Sequence, residues 1–216
     1  MVTAASDRQR RIEIGRERRL RTRARIIEAA FSLFGEEDGL YTRIEDIADR
    51  AGITRPTFYN HFSGMAELRD AVTYEVTHDF LTAVTRTIAD LADPRERASA
   101  AIRFYLERAR QDLEWGRSII NLSANGILFG AETHQQARLT VQEGMADGKF
   151  HVPSAAIGRD IVLGISLAAI TTIVREDPGE AYPALMVRSI LVGLGVASDE
   201  ADRIVRRPLP LLSSPD

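Results

Sequence analysis

The sequence predicts an all-α fold: a small N-terminal three-helix unit joined to a larger helical body, about nine to ten helices in total. Three observations predict it. Apolar residues recur at three- and four-residue intervals along most of the chain, and no stretch sustains the period-two alternation of a half-buried strand. The strongest breakers, Gly52, Gly64, Pro94, Pro153 and the Pro178-Gly179 pair, fall between the periodic runs. An apolar share of 44% with 27% charged residues is globular and is too apolar for a disordered chain.

The first helix is expected over residues 22–34, with Ile27, Ala30, Phe31 and Phe34 on one stripe, broken by residues 35–39. Thr42 then precedes Ile44, Ile47, Ala48 and Ala51 at helical spacing, and Thr42 with Glu45 has the spacing of a capping box. Gly52 supplies a turn. A third, short helix begins at Thr54 and ends near Phe62, with Pro56 in its first turn, where a missing N–H costs nothing. A long helix follows over 65–92, then others over 95–111, 117–129, 133–147, 155–175 and 181–194, and a short one over 199–206. The domain reading is a basic flexible arm over 1–20, a helix-turn-helix unit over 21–66, a helical body over 67–207 and a flexible tail over 208–216.

Composition excludes several functions. With no cysteine there is no disulfide scaffold, thiolate metal site or thiol nucleophile, and a reducing cytoplasm is the expected setting. The longest charge-free apolar stretch, 161–174, suits a buried helix, not a membrane span. The net charge of −3 conceals an asymmetry. Residues 1–25 hold nine Arg (8, 10, 11, 16, 18, 19, 21, 23, 25) against Asp7, Glu13 and Glu17, which makes that segment +6 and the remainder −9. A basic arm on an acidic protein points to a polyanion partner. Only Lys149 among 28 basic residues is lysine, so the choice of Arg over Lys in the arm carries no information, whereas its density does.

Two short helices joined by Ala51-Gly52-Ile53 have the layout of a helix-turn-helix, whose second helix enters the DNA major groove. At about 100° per residue, Phe58 and Phe62 lie about 40° apart and plug inward. The opposite side presents Pro56, Thr57 and Asn60, flanked by Tyr59 and His61. Asn pairs bidentately with adenine, and Thr or Pro packs on a thymine methyl. Tyr59 and His61 are placed to meet phosphate, and Arg43 at the start of the preceding helix is a further DNA-binding candidate. Thr54 caps the third helix and leaves its N–H groups for phosphate, and Arg55 is a candidate for guanine or backbone.

The run from Ile44 to Phe62 resembles the N-terminal signature of the TetR family of bacterial regulators. That pattern reads Asp-Ile-Ala, Ala-Gly-Val-Ser, a recognition helix with Tyr-x-His/Tyr-Phe, then Lys-Glu-Glu-Leu. Asp46, Ile47, Ala48, Ala51, Gly52, Phe58, Tyr59, His61, Phe62, Glu67 and Leu68 match it, so the resemblance covers about residues 22–70. The family's phosphate-clamping lysine falls at Met65, and the serine before it at Gly64. The arginine arm is expected to take over that backbone contact. The resemblance implies a ligand-responsive regulator, a repressor bound as a dimer to palindromic double-stranded operator DNA and released by a small lipophilic or aromatic effector. The alternative is a helical small-molecule-binding protein whose DNA binding is weakened or lost.

The body supports this reading in its own right. The 155–175 segment is apolar nearly all round, and the small pairs Gly164/Ala168 and Ser189/Gly193 allow close helix approach. These two segments, 155–175 and 181–194, are the expected half of an intersubunit four-helix bundle in a homodimer. Effector candidates cluster over 102–134: Phe104, Tyr105, Trp115, Ile119, Leu122, Phe129 and His134, with Asn121 and Asn125 as amides one helical turn apart. No cofactor, metal or catalytic site is expected. Gly164-Ile-Ser166-Leu-Ala168 resembles a nucleophile elbow but lies mid-helix without a preceding strand. Residues 144–149 miss the phosphate-loop spacing by one, and His61, His78, His134 and His151 fall in no ligand spacing.

Overall fold

The structure, a computed structural model, describes residues 2–124 and 126–213. Among them are ten α-helices, one 3-10 turn and no strand. The first helix, α1, is longer than its apolar stripe predicts and runs unbroken over Val2–Phe34. In place of a flexible arm, the basic segment is helical because Arg, Glu, Leu and Ala are all good helix formers and the run lacks proline. Residues 22–34 are anchored in the core, and extending an anchored helix avoids the cost of nucleation. An Arg21–Glu17 pair at 3.2 Å supports the exposed turns. Ile12, Ile14 and Leu20 remain exposed, which is why apolar periodicity gave no sign of this part.

A 3-10 turn at Gly39–Tyr41 leads into α2, Ile44–Arg50. Its cap lies one residue later than the sequence suggests. The Arg43 N–H donates to the Asp46 carboxylate at 2.8 Å, while the Thr42 hydroxyl turns back to the Gly39 carbonyl at 2.9 Å. Helix α3, Arg55–Tyr59, begins at Thr54, whose hydroxyl accepts from the Thr57 N–H at 3.3 Å. It ends sooner than expected, although the Phe62 N–H still reaches the Phe58 carbonyl at 3.0 Å. Phe34, Ile47, Phe58, Phe62 and Leu68 form the core of this unit. Each such aromatic or aliphatic side chain stabilises the fold by about 1.5–3 kcal/mol.

Helix α4, Met65–Ile88, starts where Ser63 donates through its N–H and its hydroxyl to Glu67, both at 2.7 Å. It stops at Ile88, short of residue 92, and the Arg97 guanidinium binds the Leu91 and Ala92 carbonyls in the link that follows. The body continues with α5 (Pro94–Gln111), α6 (Leu113–Ser123), α7 (Gly130–Ala146), α8 (Ala155–Glu176), α9 (Tyr182–Gly193) and α10 (Ser198–Val205). Helix α6 begins earlier than residue 117 because the Asp112 carboxylate accepts from the Trp115 N–H at 3.0 Å. Its early end leaves Phe129 off that helix, at the N-cap of α7 with φ +60°. That left-handed conformation costs a bulky residue about 1–2 kcal/mol. The tail is tied down as far as it is described, with the Ser213 N–H donating to the Thr87 hydroxyl at 2.8 Å.

Helix α8 packs on α5, α6, α7 and α9. By length and composition it is the one described helix that could cross a membrane, but its contacts with four neighbouring helices make it a core helix that keeps one apolar face uncovered. The N-terminal unit joins the body through Arg69 on α4. Its buried guanidinium donates to the Asn121 carbonyl at 2.9 Å and the Leu40 carbonyl at 3.2 Å, and lies 4.6 Å from the Phe34 ring centroid.

Candidate nucleic-acid interface and interior cavity

The short helix α3 divides its side chains cleanly. Phe58 and Phe62 are 0% and 1% exposed, their rings 5.8 Å apart. Thr54, Arg55, Pro56, Tyr59 and Asn60 are exposed on the other side, and Thr57 and His61 are half-buried. The two threonine hydroxyls share a 2.9 Å hydrogen bond. Arg55 pairs with Glu45 at 2.9 Å and reaches the Tyr59 hydroxyl at 3.4 Å. Both members of that ion pair are more than half exposed, so it holds the guanidinium at the surface at little energetic cost to releasing it. Arg43 is exposed at the N-terminus of α2, whose first turn already carries the carboxylates of Glu45 and Asp46, so the guanidinium is the group there that can meet an anion.

The arginines of α1 serve two purposes. Arg25 donates to the Ala51 and Gly52 carbonyls, which close α2, and Arg19 donates to the Asn60 carbonyl, which closes α3, at 3.3 Å. Cations are favoured at such helix ends. Arg23 stacks 4.9 Å from the Phe62 ring centroid. Arg10, Arg11, Arg16 and Arg18 are exposed and have no partner among the described residues. A groove runs between α1 and α3, edged by Arg18, Arg19, Thr57, Asn60 and His61. The His61 imidazole is held below its ordinary pKa, first by burial and then by Arg19 and Arg23, so it is neutral at pH 7. Its Nδ1 is buried and unpartnered. Met65 is half-buried against the apolar core of this unit.

The body contains a cavity of about 70 Å³ between α4, α5, α7 and α8. Its wall is mainly apolar, with Val84, Ile88, Ile102, Phe129 and Val162 among its residues, and Thr85, Tyr105, Thr133, Gln136, Thr140 and Ser166 supply the polar side chains. The Tyr105 and Thr133 hydroxyls are hydrogen-bonded at 3.1 Å, and the Tyr105 ring meets Phe129 edge-on with centroids 5.6 Å apart. Burial pushes the Tyr105 hydroxyl up to about 12, so it stays a neutral phenol.

Residues 93–207 match the family model for the tetracyclin repressor-like C-terminal domain, and residues 26–72 match that for bacterial regulatory proteins of the tetR family.

The chain belongs to the TetR family.

Among its relatives, the transcriptional activator FasR of Mycolicibacterium smegmatis is 26% identical over 153 residues, covering 69% of this chain and 68% of FasR. The regulator TtgR of Pseudomonas putida is 41% identical over 75 residues, 34% of this chain and 35% of TtgR. The crystal structure of RolR in complex with resorcinol superposes with a TM-score of 0.75 at 26% identity, covering 91% of this chain and 99% of that one. TetR-family regulators bind operator DNA, form dimers and bind small-molecule effectors.

The TetR fold places the expected effector residues unevenly. Phe129 lines the cavity, as does Tyr105. Phe104 and Ile119 are buried in the body core away from the cavity wall. Trp115 packs on Phe80 and faces an open groove beside α1, with Arg108 5.7 Å from its ring centroid. Leu122 belongs to the core of the N-terminal unit, and the Asn121 amide is spent on the end of α1. His134 is half-buried near Arg159, Asp160 and Arg138, outside the cavity. Asn125 lies outside the described residues. The sequence gives no sign of Thr85, Thr133, Gln136 and Thr140, and shows Ser166 only in a rejected nucleophile elbow; they lie on α4, α7 and α8, and only the packing of those helices brings them together.

Proposed function

We propose that this TetR-family chain is a cytoplasmic transcriptional repressor that binds a palindromic operator as a homodimer and leaves it when a small lipophilic or aromatic effector binds. One observation carries the DNA-binding part. Helix α3 and the turn that follows it bury Phe58 and Phe62 while Tyr59 and Asn60 stay exposed, with Thr57 and the exposed Arg18 of α1 beside them. Arg43, Thr54, Arg55, Pro56, Thr57, Tyr59, Asn60 and His61 form the DNA face in this reading. Base recognition falls to Thr57 and Asn60, and phosphate binding to the cationic and N-terminal groups.

The dimer is assigned to α8 and α9. Their outer faces leave Ile157, Leu185 and Val192 40–58% exposed, and a Cβ built on Gly164 would meet nothing within 4 Å. The open backbone at Gly164 suits close approach of a second helix. Effector action follows from connectivity: Phe129 closes the cavity at one end of the α6–α7 loop, and Asn121 holds the end of α1 at the other. An effector that favours one arrangement of this loop shifts the population of DNA-reading geometries. RolR, solved with resorcinol, supports an aromatic effector class.

Met65 favours a second reading, a ligand-binding protein with lost DNA function, since an apolar half-buried side chain stands at the clamping lysine's position. A gel shift on DNA selected by the protein separates the two. The repressor reading predicts salt-sensitive binding that is weakened in Tyr59→Ala, and no binding at low salt contradicts it.

A further inference from the structure

We infer that the cavity between α4, α5, α7 and α8 takes an uncharged molecule of single-ring size that carries a hydroxyl, with Ser166 as its hydrogen-bond anchor. This rests on the cavity being the effector site.

Among the described residues the wall contains no charged side chain and no histidine. A carboxylate or phosphate placed there would lose its hydration with no cation to replace it, which excludes anionic ligands from the interior. The polar inventory narrows the class further. Tyr105 and Thr133 satisfy one another at 3.1 Å, the Thr140 hydroxyl donates to the Gln136 carbonyl at 3.1 Å, and the Thr85 and Gln136 side chains are only half-buried. Ser166 does not share in any such pair: it is 4% exposed, faces the cavity, and its hydroxyl has no hydrogen-bond partner among the described residues. Thr171, on the same helix, bonds back to the Leu167 carbonyl at 2.9 Å in the ordinary way. Buried hydroxyls are usually paired, so an orphan in a cavity wall marks a place where a ligand donor or acceptor completes the set.

Size sets the upper limit. A cavity of about 70 Å³ is smaller than the engineered ~150 Å³ cavity that accepts benzene. A long acyl chain therefore does not fit, and a single ring enters only by displacing a wall. Phe129, already in a strained backbone conformation, is the wall residue nearest to such a change. A ligand that fits only the expanded form has the differential affinity that a switch requires.

The test is calorimetric titration and thermal unfolding of the full chain with phenol, cyclohexanol, toluene and benzoate at pH 7.5. Phenol and cyclohexanol should bind more tightly than toluene, and benzoate should not bind. Ser166→Ala should weaken phenol about fivefold and leave toluene unchanged. The same variant should raise the ligand-free Tm by about 2–4 °C, because it removes an unpaired buried hydroxyl. The inference is overturned if benzoate binds as well as phenol or if neither hydroxylic probe binds. It is equally overturned if Ser166→Ala lowers the ligand-free Tm or weakens phenol and toluene alike. Phenol binding that leaves the operator complex intact would instead contradict the effector reading while the ligand class stands.

Discussion

The side-chain amide of Asn121 on α6 donates a 2.8 Å hydrogen bond to the main-chain carbonyl of Phe34, the last residue of α1. One turn earlier on α6 the Ser118 hydroxyl donates to the Phe31 carbonyl at 3.3 Å, and the Asn121 carbonyl itself accepts from Arg69. The carbonyls at the end of a helix need donors; the Phe31 carbonyl already accepts from the Gly35 N–H at 3.0 Å, and at Phe34 the body of the protein supplies the donor. The join is also close-packed, since a Cβ on Gly35 would fall 2.5 Å from Glu114 Cγ. The DNA-reading unit is thus fixed to the sensor through the C-terminus of α1.

Breaking that join should cost stability and communication together. Asn121→Leu leaves the Phe34 carbonyl unpaired and should destabilise the chain by about 1–3 kcal/mol in urea unfolding. Arg69→Met removes two charge-assisted bonds to carbonyls and should cost about 2–3 kcal/mol or more. In both variants effector release of DNA should be blunted more than DNA affinity itself, as read by gel shift with and without effector.

What the sequence reveals about this molecule divides along the range of the interactions involved. The helix-turn-helix was legible because its determinants are local: the Phe58/Phe62 spacing, the Thr54 cap and the Gly52 turn lie within a dozen residues. Asn121 stands among the expected effector residues, yet its amide is taken by a backbone carbonyl 87 residues away, which no local pattern announces. Ser166 was met only as a false nucleophile elbow, because its meaning comes from α5 and α7 closing around it. The helical character of residues 2–21 was hidden for another reason. Those turns bury no stripe, so apolar periodicity is silent there while helix propensity is not.

At the DNA face, the two exposed residues should fail differently. Asn60→Ala should relax preference at one base position by about 1–3 kcal/mol while leaving binding to random DNA nearly unchanged. Tyr59→Ala should weaken all sequences alike. Competition binding against a panel of single-base operator variants distinguishes the two patterns.

Deleting residues 1–18 removes the unpartnered Arg10, Arg11, Arg16 and Arg18 but keeps Arg19, Arg23 and Arg25, which hold the unit together. Affinity should fall for every DNA sequence. The slope of log K against log salt should flatten by about 0.9 for each phosphate that is no longer neutralised. An unchanged slope would refute a phosphate-tracking role for this part of α1.

His61 predicts a pH dependence of definite sign. Its folded-state pKa is depressed by burial and by Arg19 and Arg23, so the unfolded chain takes up the proton first as pH falls. The stability it contributes is complete above the ordinary imidazole pKa of about 6.5 and is lost below it. A phosphate beside it would offset the arginines and raise the pKa, so operator affinity should rise between about pH 7.5 and pH 6. His61→Gln should flatten that rise, measured by fluorescence anisotropy at constant ionic strength.

Gly164→Arg tests the dimer face. A Cβ at this position meets nothing within the protomer, so folding should survive, and helix propensity favours the change by up to about 1 kcal/mol. Sedimentation velocity should show a monomer in place of a dimer, with operator affinity reduced accordingly. A folded variant that remains dimeric would move the interface elsewhere.

The most direct measurement is selection of bound sequences from random double-stranded DNA by the full chain, run in parallel with Asn60→Ala. The account predicts enrichment of a two-fold symmetric site whose half-sites lie about one helical turn or more apart, with one symmetric base pair losing its preference in the variant. No enrichment, or the same site recovered unchanged with Asn60→Ala, would contradict base reading by α3.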